Sequence, residues 1–239
     1  MSTPDRANGL GALVLGGSIR GLAIARSLGR RGVPVWVATR NDRLATFSRY
    51  TRRTLPWIRG SEEEQAAYLL GLARKHDLAG WALFPTEDES AAFLARFRGE
   101  LAARFRVTTP DWDVLRWAYD KRLTYQLAAK ESTDHPWTLC QATEADLEAI
   151  EAPFPVVLKP AIKAHANRFT VNKVWLAESR DRLLARYREA RTLMPRDLIL
   201  VQEMIPGGGE AQFSFTALCL EGRTVASLTA RLGGRASTR

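Results

Sequence analysis

The sequence predicts an α/β fold: a doubly wound domain to about residue 110, then a part rich in antiparallel strands. Three observations predict it. Up to Pro110, short apolar runs alternate with amphipathic runs of helical period, the pattern of a parallel sheet with helices on both faces. Beyond Pro110, strand-like runs come in neighbouring pairs, as antiparallel strands do. The composition, 46% hydrophobic and 26% charged over 239 residues, suits a globular chain with one core or two small ones.

The elements follow in order. "GALVLGG" is an apolar strand ending in glycines, "SIRGLAIARSLGRRG" an amphipathic helix closed by Gly32, and "VPVWVAT" a second strand. After a basic loop, Ser61 and Glu64 of "SEEEQAAYLLGLARKH" make a capping box and open a helix. "WALFP" reads as a strand, "EDESAAFLARFRGELAARF" as a helix and "RVTTP" as a short strand. "DWDVLRWAYDKRLTYQLAAKES" is helical in two pieces, and "FPVVLKP" and "RFTVNKVWLA" form a strand pair. "ESRDRLLARYREARTL" is a helix and "DLILVQEMI" a strand. "EAQFSFTALCLEGRTVASLTARL" is a hairpin turning at Glu221-Gly222-Arg223. The expected domains are therefore 1–110 and 111–239.

Several classes of function are excluded. "MSTPDRANG" is polar and the apolar run from Leu10 to Leu15 is far too short to span a bilayer, so neither a signal peptide nor a membrane partner is expected. Cys140 and Cys219 form no C-x-x-C, which points to a reducing cytoplasm. His76, His135 and His165 have no metal-ligand spacing with them. The net charge of +9 comes from 35 basic residues, mostly Arg, interspersed among 26 acids. No helix-turn-helix, RNP or zinc-finger pattern accompanies it, so nucleic acid is not expected as a partner. A basic cleft for an anionic small molecule fits the same charge.

Gly16-Gly17-Ser18-x-x-Gly21 sits on a strand–turn–helix, the setting of a dinucleotide fingerprint, but its spacing is not G-x-G-x-x-G. Arg40 stands after the second strand, where an Arg favours NADP over NAD. The competing reading is that the glycines only let strand and helix approach closely. None of the five tyrosines is followed four residues on by Lys, so the catalytic pair of short-chain reductases is missing. A nicotinamide oxidoreductase is the alternative function.

"VQEMIPGGGE" supplies a more specific pattern. Adenine has an amino group that donates, a ring nitrogen that accepts and a flat apolar body. A strand running into a connecting segment can meet it with main-chain groups and apolar cover. Met204 and Ile205 would give the cover and Glu203 would accept from the amino group. Pro206 and the glycines turn the chain, and Glu210 lies about one ribose away. Lys159 ends the buried strand "FPVVLK" and Lys121 opens the helix "DKRLTYQLAAK". An ammonium in either place suits phosphate oxygens.

In this order and spacing, "YDKRLTYQLAAK", "FPVVLKP" and "VQEMIPGGGE" resemble the ATP-grasp superfamily, which includes D-alanine–D-alanine ligase, biotin carboxylase and carbamoyl phosphate synthetase. "GGSIRGLAIARSL", "SRYTRR" and "LFPTEDE" resemble the pre-ATP-grasp domain of its carboxylate–amine ligase-like branch. The resemblance covers nearly the whole chain. It implies a doubly wound pre-ATP-grasp domain followed by an incomplete ATP-grasp module of α+β type, with a lid from about 140 to 207. It implies ATP as cofactor, with Lys121, Lys159 and, on the return strand of the lid hairpin, Lys173 at the phosphates. Glu203, Met204 and Ile205 would hold adenine, Glu210 the ribose, and Arg231 would stabilise the transferring phosphoryl group. Gly16, Gly17, Gly21, Thr86 and Glu87 would face the acceptor substrate. The implied substrates are a small carboxylate and an amine, joined through an acyl phosphate; the implied assembly is a homodimer or a chain completed by a second one.

Two departures from the family pattern shape the expectation. "PAIKAHANRFTVN", between Lys159 and Lys173, has no glycine where relatives carry a Gly-rich phosphate loop; Lys163 and Asn167 are the substitute donors there. Relatives bind magnesium through an acid and a Glu-x-Asn, whereas here Glu221 is the sole acid after Glu210 and no Glu-x-Asn occurs. The expected chain is an ATP-grasp architecture with an unfinished active site: a non-catalytic nucleotide-binding module, or a ligase inactive or incomplete as this chain.

Overall fold

The structure is a computed structural model that describes residues 10–163 and 166–231; His165 lies outside the described residues. These fall into two compact units. One runs to Thr133 and takes in the short stretch from Ala161; the other holds Asp134–Pro160 and the rest.

The first unit is built on β1 (Ala12–Leu15), α1 (Ile19–Gly29), β2 (Val35–Thr39), β3 (Thr51–Pro56), α2 (Glu62–His76), β4 (Ala82–Pro85), α3 (Asp88–Arg96), α4 (Arg98–Leu101) and β5 (Arg106–Val107). The five strands are parallel in the order β3-β2-β1-β4-β5. This is the doubly wound order, with its switch point between β1 and β4. All of β1 is buried because helices cover both sheet faces. Leu13 and Leu15 enter one core with Leu69 of α2 and Phe93 of α3. Ala12 and Val14 enter the other with Ala25 of α1. The Ser61–Glu64 capping box forms, the Ser61 N–H donating to the Glu64 carboxylate at 2.8 Å.

Two features of this unit depart from the sequence reading. The basic loop after the second strand contains β3, an edge strand. Its exposed Arg52, Arg53 and Thr54 hide the strand pattern, as water-facing edges do. Residues 111–132 form α5 (Trp112–Tyr119) and α6 (Lys121–Lys130), and α5 packs on α3. The sequence reading gives these helices to the second module. They separate at Asp120, whose carboxylate accepts from the Arg122 N–H at 2.9 Å.

The second unit holds β6 (Thr138–Cys140), α7 (Glu144–Glu148), β7 (Val156–Pro160), α8 (Arg168–Asn172), β8 (Trp175–Ala177), α9 (Arg180–Arg191), β9 (Ile199–Glu203), β10 (Phe213–Leu220) and β11 (Arg223–Arg231). An antiparallel four-stranded sheet runs β6-β9-β7-β8. Val156, Leu158, Ile199 and Val201 bury one face of it with Leu147 of α7 and Leu183 and Tyr187 of α9.

The expected strand pair is present as β7 and β8, but its return arm is a correction. Arg168–Asn172 is helix, not strand. Asn167 accepts from the N–H groups of Phe169 and Thr170 at 2.9 and 3.0 Å and so caps a helix start that alternating apolar residues disguised. Lys173 therefore lies off the strand, ending α8 with φ of +64°.

β10 and β11 make a separate two-stranded sheet turning at Glu221 and Gly222, both with positive φ, as a tight hairpin turn needs. Its residues are exposed on both faces.

Candidate functional site

Strand pairing sorts the site residues of the second unit by face. Val157 pairs with Gln202 and Leu176, Lys159 with Leu200, and Thr138 with Gln202. Opposed residues share a face, so Lys159, Gln202 and Thr138 lie together, away from the core of α7 and α9. The Lys159 ammonium donates to Gln202 Oε1 at 2.7 Å. Gln202, 1% exposed, donates through Nε2 to Thr138 Oγ1 at 2.8 Å. Thr138 Oγ1 in turn donates to the Pro136 carbonyl at 2.8 Å. A polar chain with buried Gln202 at its centre thus holds the end of the lysine side chain.

Glu203 is the next residue along β9 and pairs with Val156, on the opposite face. Its carboxylate accepts from the Trp137 N–H at 2.7 Å, and its own N–H donates to the Trp137 carbonyl at 3.0 Å. With Trp137, Ile150, Glu151, Ala152 and Pro153 it lines a pocket of about 370 Å³. The expected adenine contact of Glu203 thus shares its carboxylate with the main chain that enters β6. Met204 and Ile205 follow, 43% and 59% exposed. Gly207 turns with φ of +112°. Arg231 Nε donates to the Glu210 carbonyl at 2.8 Å, which brings the catalytic and ribose candidates together.

Other candidates sit in local structure. Lys121, in the first unit, donates its N–H and its ammonium to the Ala161 carbonyl at 3.1 and 3.3 Å. Asn167 uses Oδ1 in capping α8 and its amide N–H on the Leu193 carbonyl at 3.3 Å, while Lys163 is exposed.

At the carboxyl ends of β1 and β4, packing accounts for all three glycines. A Cβ on Gly16 would lie 1.9 Å from Thr86 Oγ1, one on Gly17 1.9 Å from the Asp42 carbonyl, and one on Gly21 2.3 Å from the Gly16 carbonyl. Thr86, 6% exposed, donates its hydroxyl to the Leu15 carbonyl at 2.9 Å. Glu87 pairs with Arg20 at 2.9 Å. Arg40, the residue that favoured NADP, donates to the Ile58 carbonyl.

No family model and no curated protein matches the sequence. Solved structures do. The L-amino acid ligase of Bacillus licheniformis superposes with a TM-score of 0.67 at 14% identity, over 97% of this chain and 53% of that one. N5-carboxyaminoimidazole synthetase of Staphylococcus aureus, complexed with ADP, gives 0.56 at 13% identity, over 82% and 48%. The biotin carboxylase domain dimer of the Hydrogenobacter thermophilus 2-oxoglutarate carboxylase, in complex with MgADP, gives 0.58 at 14% identity, over 83% and 45%. The chain has the ATP-grasp fold. It spans about half the length of these ATP-grasp enzymes.

Within that fold the sequence reading missed Gln202. A glutamine in a strand carries neither charge nor motif, and only the register with β7 shows that it faces Lys159. Magnesium, expected of ATP-grasp enzymes, does not fit the donors present. Among the described residues no group of three or more His, Cys, Asp and Glu could hold a metal ion.

Proposed function

We propose that the second unit binds ATP, and that the chain supplies the nucleotide half of a ligase joining a carboxylate to an amine through an acyl phosphate. The observation that supports this best is the Lys159–Gln202–Thr138 chain beside the segment 203–210. It holds an ammonium in a fixed place at the edge of a main-chain hinge with exposed apolar side chains. Lys159 would meet phosphate oxygens as a compact charge. The main chain of residues 203–205 would meet the adenine edge, with Met204 and Ile205 over the ring. The Glu203 carboxylate has a second oxygen beyond the one that Trp137 engages and could accept from the amino group. Glu210, kept in place by Arg231, would accept from the ribose hydroxyls.

In the reaction so proposed, a carboxylate oxygen attacks the terminal phosphorus of ATP and ADP leaves. The amine nitrogen then attacks the acyl carbon and gives up a proton to solvent, and inorganic phosphate leaves. Arg231 would stabilise charge on the phosphates. The face of the first unit at Gly16–Ser18 and Thr86–Glu87 would receive the acceptor, since ligands bind at the carboxyl ends of strands at a switch point.

Calorimetry of the 239-residue chain with ATP, with Lys159→Ala and with NADPH tests the reading. Weak, saturable ATP binding that Lys159→Ala reduces at least tenfold is expected. Saturable NADPH binding without ATP binding would replace it with the oxidoreductase alternative.

A further inference from the structure

The basic residues intersperse with acids over the whole chain but not over its first quarter. Between Leu10 and Gly60 there are ten arginines and one acidic residue, Asp42, and all ten arginines are exposed. This stretch builds one end of the first unit: α1, β2, the 3-10 turn Leu44–Phe47 and the edge strand β3, which pack on one another. Arg20 is paired with Glu87. Arg49 donates to the Tyr50 hydroxyl at 2.8 Å and stands 4.9 Å above its ring. That bond, reinforced by Arg30, holds the phenol below the usual tyrosine range, as a positive surroundings would.

Within this stretch stands an apolar tip. The 3-10 turn points Ala45 inward, fully buried, and leaves Leu44 and Phe47 45% and 81% exposed. Residues three apart eclipse in a 3-10 turn, so the two side chains stand together. Arg43 precedes the tip and Arg49 follows it. The Ala45 N–H donates to the Gly17 carbonyl at 2.7 Å and so fastens the turn to the β1–α1 loop.

An acidic protein would need the cations alone, and a nucleic acid would need cations with planar stacking groups, of which the tip offers Phe47 but not Leu44. Two large apolar side chains raised out of a surface with ten arginines to one acid, Asp42, which accepts from the Leu44 N–H at 3.2 Å, match a partner that is anionic outside and apolar beneath. The geometry points to this end of the first unit as a docking surface for an anionic phospholipid membrane. Leu44 and Phe47 enter the acyl boundary, and Arg43 and Arg49 meet the headgroups. The docking is peripheral: among the described residues no helix is long and apolar enough to cross a membrane. It is independent of the ATP reading and runs against the expectation that the chain has no membrane partner.

The test is co-sedimentation of the intact chain with vesicles of equal parts phosphatidylcholine and phosphatidylserine, and with phosphatidylcholine alone. A third arm measures binding to duplex DNA at the same salt. Binding to the acidic vesicles should weaken with salt and be at least tenfold weaker on the neutral ones. Phe47→Ser should weaken it about tenfold or more, the transfer of one phenyl ring, with the thermal melt unchanged because the side chain is exposed. Phe47→Trp should keep it, and Arg43→Glu with Arg49→Glu should remove most of the salt dependence. No binding to acidic vesicles at low salt overturns the inference. So does wild-type vesicle binding by Phe47→Ser, or DNA binding tighter than vesicle binding.

Discussion

Which way one amide points decides how the candidate nucleotide site works. The Pro136 carbonyl can only accept, so the Thr138 hydroxyl must donate to it, and the Thr138 oxygen is left to accept from Gln202 Nε2. Gln202 Oε1 is thereby turned to Lys159. Gln202→Leu removes one hydrogen bond from each of two half-buried groups, a loss of about 1–3 kcal/mol in stability. It should also weaken ATP about tenfold while leaving adenosine affinity near wild type, because only ATP carries phosphates for Lys159. Calorimetry with both ligands checks this, and an equal loss for both would reduce Gln202 to a packing role. Lys159 was legible in the sequence because a lysine ending an apolar strand stands out, whereas Gln202 became visible only with the strand register. Glu203 drew attention as an acid, yet the same register sets it on the face opposite Lys159. The glycines make a second test at this scale. Gly16→Ala meets Thr86 Oγ1 and a φ of +123°, whereas Gly32→Ala meets a φ of +78° and open space. The first should cost several kcal/mol, at or beyond the ordinary upper range of roughly 3. The second should cost only the left-handed penalty of about 1–2 kcal/mol. Denaturant melts of the two variants check the contrast, and equal costs would contradict the packing account of the turn.

Among the elements, those with long periodic patterns were legible and the short ones were not. The Ser61 capping box, the split helix around Asp120 and the β10–β11 hairpin each follow from local residues. β6 has three residues and α7 five, too few for a period to register. β3 was hidden by its exposed arginines. α8 shows a cap overriding a pattern. Phe169 and Val171 alternate as in a strand, but Asn167 gives two N–H groups their acceptor, and the Thr170 hydroxyl oxygen accepts from the Asn167 N–H at 2.9 Å. Asn167→Ala should therefore destabilise the second unit by about 1 kcal/mol, seen as a lower melting temperature, with Asn167→Asp close to wild type. If Asn167→Ala melted like wild type, the cap would not be what sets α8.

At the scale of the whole molecule, each unit has its own core, yet the β10–β11 hairpin joins neither. Phe213, Phe215, Leu218, Leu220, Val225 and Leu228 are all more than half exposed. A lone two-stranded hairpin is at best marginal in water. Its amides should exchange with solvent far faster than those of Ile199–Gln202, which hydrogen-exchange mass spectrometry of the 239-residue chain would show. The same disparity bears on activity. The groups that would hold ATP, Lys159 and the 203–210 segment, act on the ground state as much as on the transition state, and so give affinity without much rate. Phosphoryl transfer gains its rate from charge neutralised as it develops, a contribution of several kcal/mol where a metal supplies it. Glu221, the sole acid after Glu210, is in the turn of the exposed hairpin, and no described cluster of acids and histidines could hold the ion. The chain as given should therefore bind ATP weakly and release no ADP above background, with or without magnesium, across a panel of carboxylates and amines. A coupled ADP assay on protein whose ATP binding has first been measured is the check. Binding with ordinary enzymatic turnover would mean that the charge is met by groups outside those named, and binding without turnover would leave this chain as a nucleotide-holding half.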